Sequence, residues 1–477
     1  MPSDYVQAQN LYQESLALFM KVDDKPGIVR VLYELGWLVG SIMRHYDAGV
    51  DYFQRSLKIA RSSGDQRGIA WALNGLGAMA HLEGKHAEAI TRYEESLSIA
   101  RMIGDTARTA GALNNLGLVK AELGHYDEAR QDLEASLAQF RAVGNRAGVA
   151  SPLANLGNIF RSQGQHDEAR QFFMDALTIY REIGNRSGVA STLYGLGSLA
   201  RLEGEYESAK NIFGETVSIS REIRYPVGIG SGLEELALLA RMQGQYEVAW
   251  RYLEESLKIA QEIDQPVEIA NVLLNQGAVK RAWGEYAAAK TLIEQGLAIN
   301  REENNQRGVA RSLYFLGDVE LALHDEANAV LHYQASLDIY RGFDNRTGII
   351  LSLGGLGDSA VMRGDFAEAR QRLYEAFTAA SSVRDTPLTL WILSGIAGLL
   401  AQEGQKERSL EMIGLVLNHY ASPQEARDKA ESVLRGLQPE LDTPPLSAAL
   451  ERGRGLAKGA DKRRLGLDEQ RWVSLLA

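Results

Sequence analysis

The chain of 477 residues contains no cysteine, so disulfide bonds and thiolate metal ligands are excluded. It also lacks a long apolar run: the longest, near residues 391–401, is shorter than the about 20 residues that a helix needs to span a bilayer. Residues 1–24 form an amphipathic pattern and not a basic segment followed by an apolar one, so we expect no secretory signal. These absences favour a cytoplasmic protein.

The chain is also short of positive charge. Its 51 Lys and Arg residues face 62 Asp and Glu residues, which gives a formal net charge of -11. This balance argues against nonspecific binding to DNA or to an anionic membrane, although a local basic strip could still bind an anion. We therefore expect neither nucleic acid nor a membrane as a partner.

Motifs for catalysis are missing as well. The sequence has no GxxxxGK[ST] phosphate loop, no GxGxxG after a strand, no HExxH and no GxSxG. Three glycines in a basic segment have no strand before them and predict no phosphate cradle: Gly453, Gly455 and Gly459. Three histidines fall at predicted turns and helix starts, where packing or exposure is expected rather than ligation: His86, His125 and His166. We expect no enzyme activity, no cofactor and no metal.

What the chain does contain is a period of 40 residues. One glycine recurs with this spacing at Gly77, Gly117, Gly157, Gly197, Gly277, Gly317 and Gly357. A second glycine recurs at Gly84, Gly124, Gly164, Gly204, Gly244, Gly284, Gly364 and Gly404. An alanine recurs at Ala89, Ala129, Ala169, Ala209, Ala249, Ala289, Ala329 and Ala369. Apolar spacings of three and four predict two helices per period, which we name helix A and helix B. Because neither helix can bury its apolar face alone, the pairs should stack into an all-α solenoid.

This unit resembles the tetratricopeptide repeat (TPR): it reads Leu73-x2-Leu76-Gly77-x2-Ala80, then Ala89-x3-Tyr93-x2-Ser96. The ordinary TPR has about 34 residues, and the longer form here is similar to the repeats of kinesin light chains, Pins-type polarity adaptors and bacterial signalling proteins. HEAT and armadillo repeats have a comparable length but lack this framework of glycine and alanine. The resemblance implies a right-handed α-solenoid, or superhelix, whose concave groove receives peptides.

Both ends depart from the repeat. Residues 1–25 align with helix B of later repeats and predict an incomplete first repeat, residues 26–420 predict about ten units, and residues 421–477 predict capping helices and a Gly/Lys/Arg-rich tail. Because a solenoid needs a polar cap on its first unit, this opening predicts a larger protein, or a partner or second copy that covers the exposed face. An unusual cap at residues 1–22 stays open as an alternative.

The C-terminal part carries a second resemblance. Residues 409–419, the turn Ser422-Pro-Gln-Glu-Ala, Leu450-Glu-Arg-Gly-Arg and the closing Leu467-Asp-Glu look like the tails of large bacterial signal-transduction ATPases and transcriptional regulators. In those proteins a nucleotide-binding switch precedes a TPR sensor. The resemblance implies that this chain is a sensor arm with an upstream effector domain.

The repeat register predicts which helix A residues line the groove. At one position four consecutive repeats carry Arg161, Arg201, Arg241 and Arg281. Other groove positions carry hydrogen-bonding residues: Asn114, Asn115, Asn155, Asn158, Tyr194, Asn271 and Asn275, with Asn74 and Ser151 beside them. Amides can pair with a peptide backbone, and guanidinium groups suit carboxylates or phosphates. We expect these residues to bind an extended acidic peptide or protein segment whose basic portion lies toward Asp358.

Two alternatives remain at this stage. Each arginine sits in the last turn of its helix A, where a cation stabilises the helix dipole by about 0.3–1 kcal/mol, and Glu203, Glu205 or Glu285 could hold it in an ion pair. The chain as a whole could instead be a passive structural or assembly module that self-associates through its uncapped end into a homo-oligomer.

Overall fold

A computed structural model describes residues 3–43, 45–441 and 443–459. Within these residues the chain forms 23 α-helices and no strand. They are α1 (Ser3–Lys21), α2 (Lys25–Gly36), α3 (Tyr46–Ser63), α4 (Gln66–Leu82), α5 (His86–Met102), α6 (Thr106–Glu122), α7 (Tyr126–Ala142), α8 (Arg146–Ser162), α9 (His166–Glu182), α10 (Arg186–Leu202), α11 (Tyr206–Glu222), α12 (Pro226–Met242), α13 (Tyr246–Glu262), α14 (Pro266–Ala282), α15 (Tyr286–Glu302), α16 (Gln306–Ala322), α17 (Glu326–Gly342), α18 (Arg346–Arg363), α19 (Phe366–Ser382), α20 (Thr386–Gln402), α21 (Lys406–Asn418), α22 (Gln424–Leu437) and α23 (Pro444–Gly459). A π-helical turn, Trp37–Ile42, follows α2, and a 3-10 turn, Gln438–Glu440, follows α22. None of the described helices is long and apolar enough to cross a membrane.

The helices pack in sequence order as antiparallel pairs. The even-numbered helices α2 to α20 are the A helices, each odd-numbered helix that follows is its B helix, and α1 precedes the first pair. This arrangement confirms the predicted α-solenoid of tandem repeats. The chain divides into two compact units: Met1–Ile159 with Thr178–Ile183, and Phe160–Leu177 with Gly184–Ala477.

The turn between repeats explains why each helix ends and the next begins. At Gly64 the backbone adopts φ 71°, a left-handed conformation that ends α3 and that glycine adopts at little cost. The next residue, Asp65, accepts a hydrogen bond at 2.9 Å from the backbone N–H of Gly68 and so caps α4. The same cap recurs at Asp24, Asp105, Asn145, Asn185, Asn305, Asn345 and Asp385.

The periodic small residues allow the two helices of a repeat to touch. All eight framework alanines are 0% exposed, and a Cβ on Gly77 would lie only 2.8 Å from the ring of Tyr93. The periodic serine that ends the motif, Ser96 in its repeat, adds a polar contact that was not predicted from the sequence. Ser136 Oγ on α7 donates to the backbone carbonyl of Ala110 on α6 at 2.7 Å. The equivalent bond is made by Ser56, Ser96, Ser256 and Ser336.

The C-terminal segment contains more helix than a Gly/Lys/Arg-rich tail would suggest. Here α23 packs on α21, and Gly453 allows this close contact, because a Cβ on Gly453 would lie 2.0 Å from the carbonyl oxygen of Glu411. The predicted closing motif Leu467-Asp-Glu lies outside the described residues. The proposed domain boundaries stay a prediction.

Candidate functional site

In the first unit, side-chain amides form a connected row across three A helices. We name Asn74, Asn114, Asn115, Ser151 and Asn155 the asparagine row. Asn115 Nδ2 donates to Asn74 Oδ1 at 3.1 Å, and Asn155 Nδ2 donates to Asn114 Oδ1 at 3.0 Å. Asn114 Nδ2 donates to Asn115 Oδ1 at 3.3 Å, and Ser151 Oγ approaches Asn114 Oδ1 at 3.4 Å. The row therefore links helices α4, α6 and α8, and all five side chains are half-buried.

The side chains of the asparagine row have the groups needed to hydrogen-bond to the backbone of a bound peptide. An asparagine amide has two N–H donors and an oxygen with two lone pairs. The bonds within the row use one N–H of each donating amide, which leaves donor and acceptor capacity for a peptide backbone. The structure thus brings together three predicted site residues, Asn114, Asn115 and Asn155. The fourth asparagine of this region, Asn158, lies exposed on α8.

In the second unit, the four predicted arginines occupy the last turns of successive A helices. We name Arg161, Arg201, Arg241 and Arg281 the arginine row; they lie on α8, α10, α12 and α14. Arg201 Nε donates to Glu235 Oε2 at 3.0 Å, and Tyr194 OH donates to the other oxygen of this carboxylate at 3.0 Å. Burial and the charge of Glu235 raise the pKa of Tyr194, while Arg201 and Arg161 oppose this effect. The predicted residues Tyr194 and Arg201 therefore share one carboxylate.

Arg241 and Arg281 share a second carboxylate, which comes from outside the repeats. Both guanidinium groups donate to Glu425 on α22, Arg281 Nη2 at 2.8 Å from Oε2. Arg281 Nε also lies 3.5 Å from Asp318 Oδ2. Burial alone would raise the pKa of Glu425, but Arg241 and Arg281 outweigh burial and lower it to about 2.

Glu203, Glu205 and Glu285 were the carboxylates expected in the ion-pair alternative. The structure instead pairs Arg201 with Glu235, and Arg241 and Arg281 with Glu425. Glu203 is held by Arg170 and lies 3.6 Å from His166 Nδ1, and Glu285 accepts from Lys280 at 2.7 Å. Glu203 lies two residues after Arg201, just past the end of α10, and its carboxylate contacts residues of the preceding helix B instead.

One helical turn beyond Glu425, α22 presents the opposite charge. Lys429 Nζ donates to Asp358 on α18 and lies 5.4 Å from the ring centroid of Trp391 on α20. A ligand with an acidic portion at the arginines and a basic portion toward Asp358 was expected from the sequence. The chain's own α22 has this charge order.

The last two predicted residues contact acidic side chains. Asn275 Nδ2 donates to Glu234 Oε2 at 2.7 Å, and Asn271 Nδ2 lies 3.4 Å from Glu268 Oε2. Burial raises the pKa of Glu234 to about 7; Arg311 opposes this shift, and Glu268 adds to it. Asn271 and Asn275 thus belong to an acidic cluster and not to the asparagine row.

Sequence reasoning missed the roles of Glu425 and Lys429. Their spacing of four residues on a helix was readable as a signal, because opposite charges at this spacing lie on one face. Nothing in that signal says which surface the face contacts.

Among the described residues, one group of side chains could hold a metal ion. The ligand atoms of His81, His86 and Glu122 all lie within 4.8 Å of one another. Two histidines and a glutamate are a known ligand set for Zn²⁺. In the present geometry His81 Nε2 and Glu122 Oε2 are hydrogen-bonded at 2.8 Å.

Comparison with known proteins agrees with the helical pairs described above. The tetratricopeptide repeat family matches residues 41–102, 108–182, 149–222, 228–302 and 268–342, and a second description of the same repeat matches residues 351–373. The class defined by this architecture is the TPR solenoid. The chain belongs to the tetratricopeptide repeat family.

Several solved structures have a similar fold. A Rap protein complexed with competence and sporulation factor has 13% identity and a TM-score of 0.57, covering 72% of this chain and 94% of that chain. The Rap conjugation gene regulator of plasmid pLS20, in complex with the Phr* peptide, has 16% identity and a TM-score of 0.51, with coverage of 70% and 96%. The apo quorum sensor NprR from B. thuringiensis has 14% identity and a TM-score of 0.51, with coverage of 70% and 98%.

At such identities the likeness shows the fold alone. No curated protein sequence matches this chain. The resemblances to kinesin light chains, to Pins-type adaptors and to the tails of bacterial signalling ATPases stay predictions.

Proposed function

We propose that this TPR protein is a scaffold that binds a protein or peptide segment on its A-helix surfaces, and that it acts by binding rather than by catalysis. The observation that carries the proposal is the contact of Arg241 and Arg281 with Glu425. There the arginine row binds a carboxylate from a helix that is not part of any repeat. The same groups suit an acidic side chain of a partner.

The asparagine row supplies the second half of the proposed binding mode. Its amides recur on successive A helices, so an extended segment along α4, α6 and α8 meets donors and acceptors repeatedly. Main-chain contacts of this kind give affinity with little dependence on the ligand's side chains. Two of the similarly folded proteins form complexes, one with competence and sporulation factor and one with the Phr* peptide.

As a sensor arm, the scaffold would act through differential binding. A segment that binds one curvature of the solenoid better than another shifts the equilibrium between them, and an attached effector domain responds to that shift. The ligand we propose is acidic where it meets the arginine row, because two guanidinium groups keep a carboxylate ionised there far below neutral pH.

The asparagine row can be tested with peptides selected from a displayed random library on the wild-type protein. We expect the double variant Asn114→Ala/Asn155→Ala to bind them at least about tenfold more weakly, a loss of about 1.4 kcal/mol. The control is Asn211→Ala, an exposed asparagine on helix α11, which should bind like the wild type. Fluorescence polarisation gives the affinities, and circular dichroism verifies folding. Equal affinities in all three proteins would remove the asparagine row from the binding site.

A passive assembly module is the second candidate function, and one observation favours it. Helix α1 uses Leu16 to pack on α2 but leaves other large apolar side chains exposed, among them Leu11 at 59% and Leu18 at 62%. Residues seven apart lie on one helical face. This apolar face could associate with a second copy of the chain.

A further inference from the structure

Helix α22 stands outside the repeat pattern, yet it contacts A helices of the second unit that are distant in sequence. Glu425 lies 184 and 144 residues beyond Arg241 and Arg281, and Lys429 lies 71 residues beyond Asp358. Residues on α12, α14 and α18 therefore converge on one face of a single helix. A partner segment would have to meet these same groups.

The turn that leads into α22 is held by hydrogen bonds at the junction of α10 and α11. Tyr206 OH donates to the carbonyl oxygen of Ala421 at 2.6 Å, and Tyr420 OH donates to the carbonyl oxygen of Glu203 at 3.3 Å. Gly204 makes room for this turn, because a Cβ there would lie 2.0 Å from the Cβ of Ala421. The contact fixes where α22 begins relative to the arginine row.

The helix itself is held by both apolar and polar groups. Ala426 and Ala430 are fully buried, Leu437 is the one large apolar residue of α22 that is buried, and Val433 and Leu434 pack partly buried against the same core. Stabilisation by burial scales with apolar area, so the two alanines contribute less than Leu437. Glu425 and Lys429 add charged contacts to this docking, and a ligand with the same charges can replace these contacts.

The surface beneath α22 is also incompletely filled. A cavity of about 710 Å³ lies beside the helix, lined by Trp391, Met362 and Leu321 on the repeat side and by Ser432 and Gly436 on α22. The two α22 residues are four apart, so they share one face with Lys429. Ser432 and Gly436 are themselves exposed, and larger apolar side chains at these two places would extend into the cavity.

We infer that α22 is an internal occupant of this surface, and that the external ligand is an amphipathic helical segment. The segment carries a carboxylate, an ammonium group one helical turn later, and large apolar side chains where α22 has Ser432 and Gly436. It binds by displacing α22. The surface therefore accepts only a ligand that fills the cavity better than α22 does. This inference rests on the proposed function, because it names the ligand class and the regulation of the same arginine row.

Two fluorescent synthetic peptides test the inference on the full chain. One has the native sequence of residues 419–438, and the other carries Ser432→Leu and Gly436→Leu. We expect the leucine peptide to bind the wild-type protein at least about tenfold more tightly than the native peptide, because its side chains fill the cavity. Equal affinities, or no binding of either peptide, would overturn the inference, and this comparison needs no variant of the protein.

A second comparison tests whether α22 competes with an added peptide for the arginine row. In the full-chain variant Glu425→Gln/Lys429→Gln, α22 should undock, so the native peptide should bind about tenfold more tightly than to the wild type, where docking lowers the competent fraction. The control Glu431→Gln changes an exposed residue of the same helix and should match the wild type. Equal affinity of all three proteins would contradict an internal occupant.

The outcome is separable from that of the proposed function. If neither peptide binds while library-selected peptides still depend on Asn114 and Asn155, the internal ligand is wrong and the scaffold function stands. If the leucine peptide displaces α22 while binding of selected peptides ignores both asparagines, the inference stands and the asparagine row is not a binding site.

Discussion

At the scale of single residues, ionisable groups on the A helices give the second unit its electrostatic character. Glu425 is held ionised by two arginines, whereas Glu234, on helix α12 with Arg241, has a pKa near neutrality. The difference follows from partners, because Glu425 accepts bonds from two guanidinium groups and Glu234 accepts one from the neutral amide of Asn275. The same surface therefore stabilises the ionised form of Glu425 and destabilises the ionised form of Glu234.

Because burial disfavours the ionised form of Glu234, we predict that Glu234→Gln has a pH-dependent effect on folding stability. The folded-state pKa of Glu234, about 7, exceeds its ordinary value of 4.5. Below pH 4.5 this carboxyl group is protonated in the folded and the unfolded state and costs no stability. The wild type loses stability as pH rises through 7, because the carboxyl group must then ionise in the folded state. We expect the variant to unfold in urea like the wild type near pH 4.5. Near pH 8 it should be more stable, by up to about 3 kcal/mol.

Four groups that affect or contact Glu234 must stay in place for this comparison: Glu235, Glu268, Arg311 and Asn275. The matched control is Glu294→Gln on the exposed side of α15, which should leave the urea midpoint unchanged at both pH values. A Glu234→Gln variant with the same stability as the wild type at high pH would contradict the assigned burial of this carboxylate.

At the scale of helices, the sequence was informative wherever the period of 40 residues applied. The recurring glycine Gly84 follows the end of α4, and helix B starts at His86, as the pattern predicted; the cap at Asp105, which starts α6, was not predicted. Each is determined locally, by a glycine that adopts positive φ or a side chain that caps the next helix.

The docking of α22 could not be predicted in this way. Its partners lie 71 to 184 residues away, and no periodic signal connects Glu425 with Arg241. The same limit applies to the asparagine row: the register placed Asn114 and Asn155 on successive A helices, but the bonds between them depend on how closely those helices pack.

Helix α1 supplies the prediction at this scale. Its exposed residues Leu11 and Leu18 form the apolar face that would support assembly. If the protein is an assembly module, Leu11→Glu/Leu18→Glu should convert an oligomer to a monomer in sedimentation experiments, because two charges would have to be buried at the contact. The control Leu331→Glu alters a leucine of similar exposure on α17 and should leave assembly unchanged. A monomeric wild type would exclude self-association through α1.

At the scale of the whole molecule, each of the two units carries its own candidate binding surface. The first unit presents the asparagine row, built from neutral amides, and the second presents the arginine row with α22 seated on it. The first suits a peptide backbone, and the second suits a segment with ordered charges.

The most direct test is hydrogen exchange of the full chain with and without a library-selected peptide that binds it. We expect slower exchange in α4, α6 and α8, which carry the asparagine row, and faster exchange in α22 as the ligand displaces it. Unchanged exchange in these three repeat helices, together with unchanged or slower exchange in α22, would contradict ligand binding on the A-helix surfaces and displacement of the internal helix.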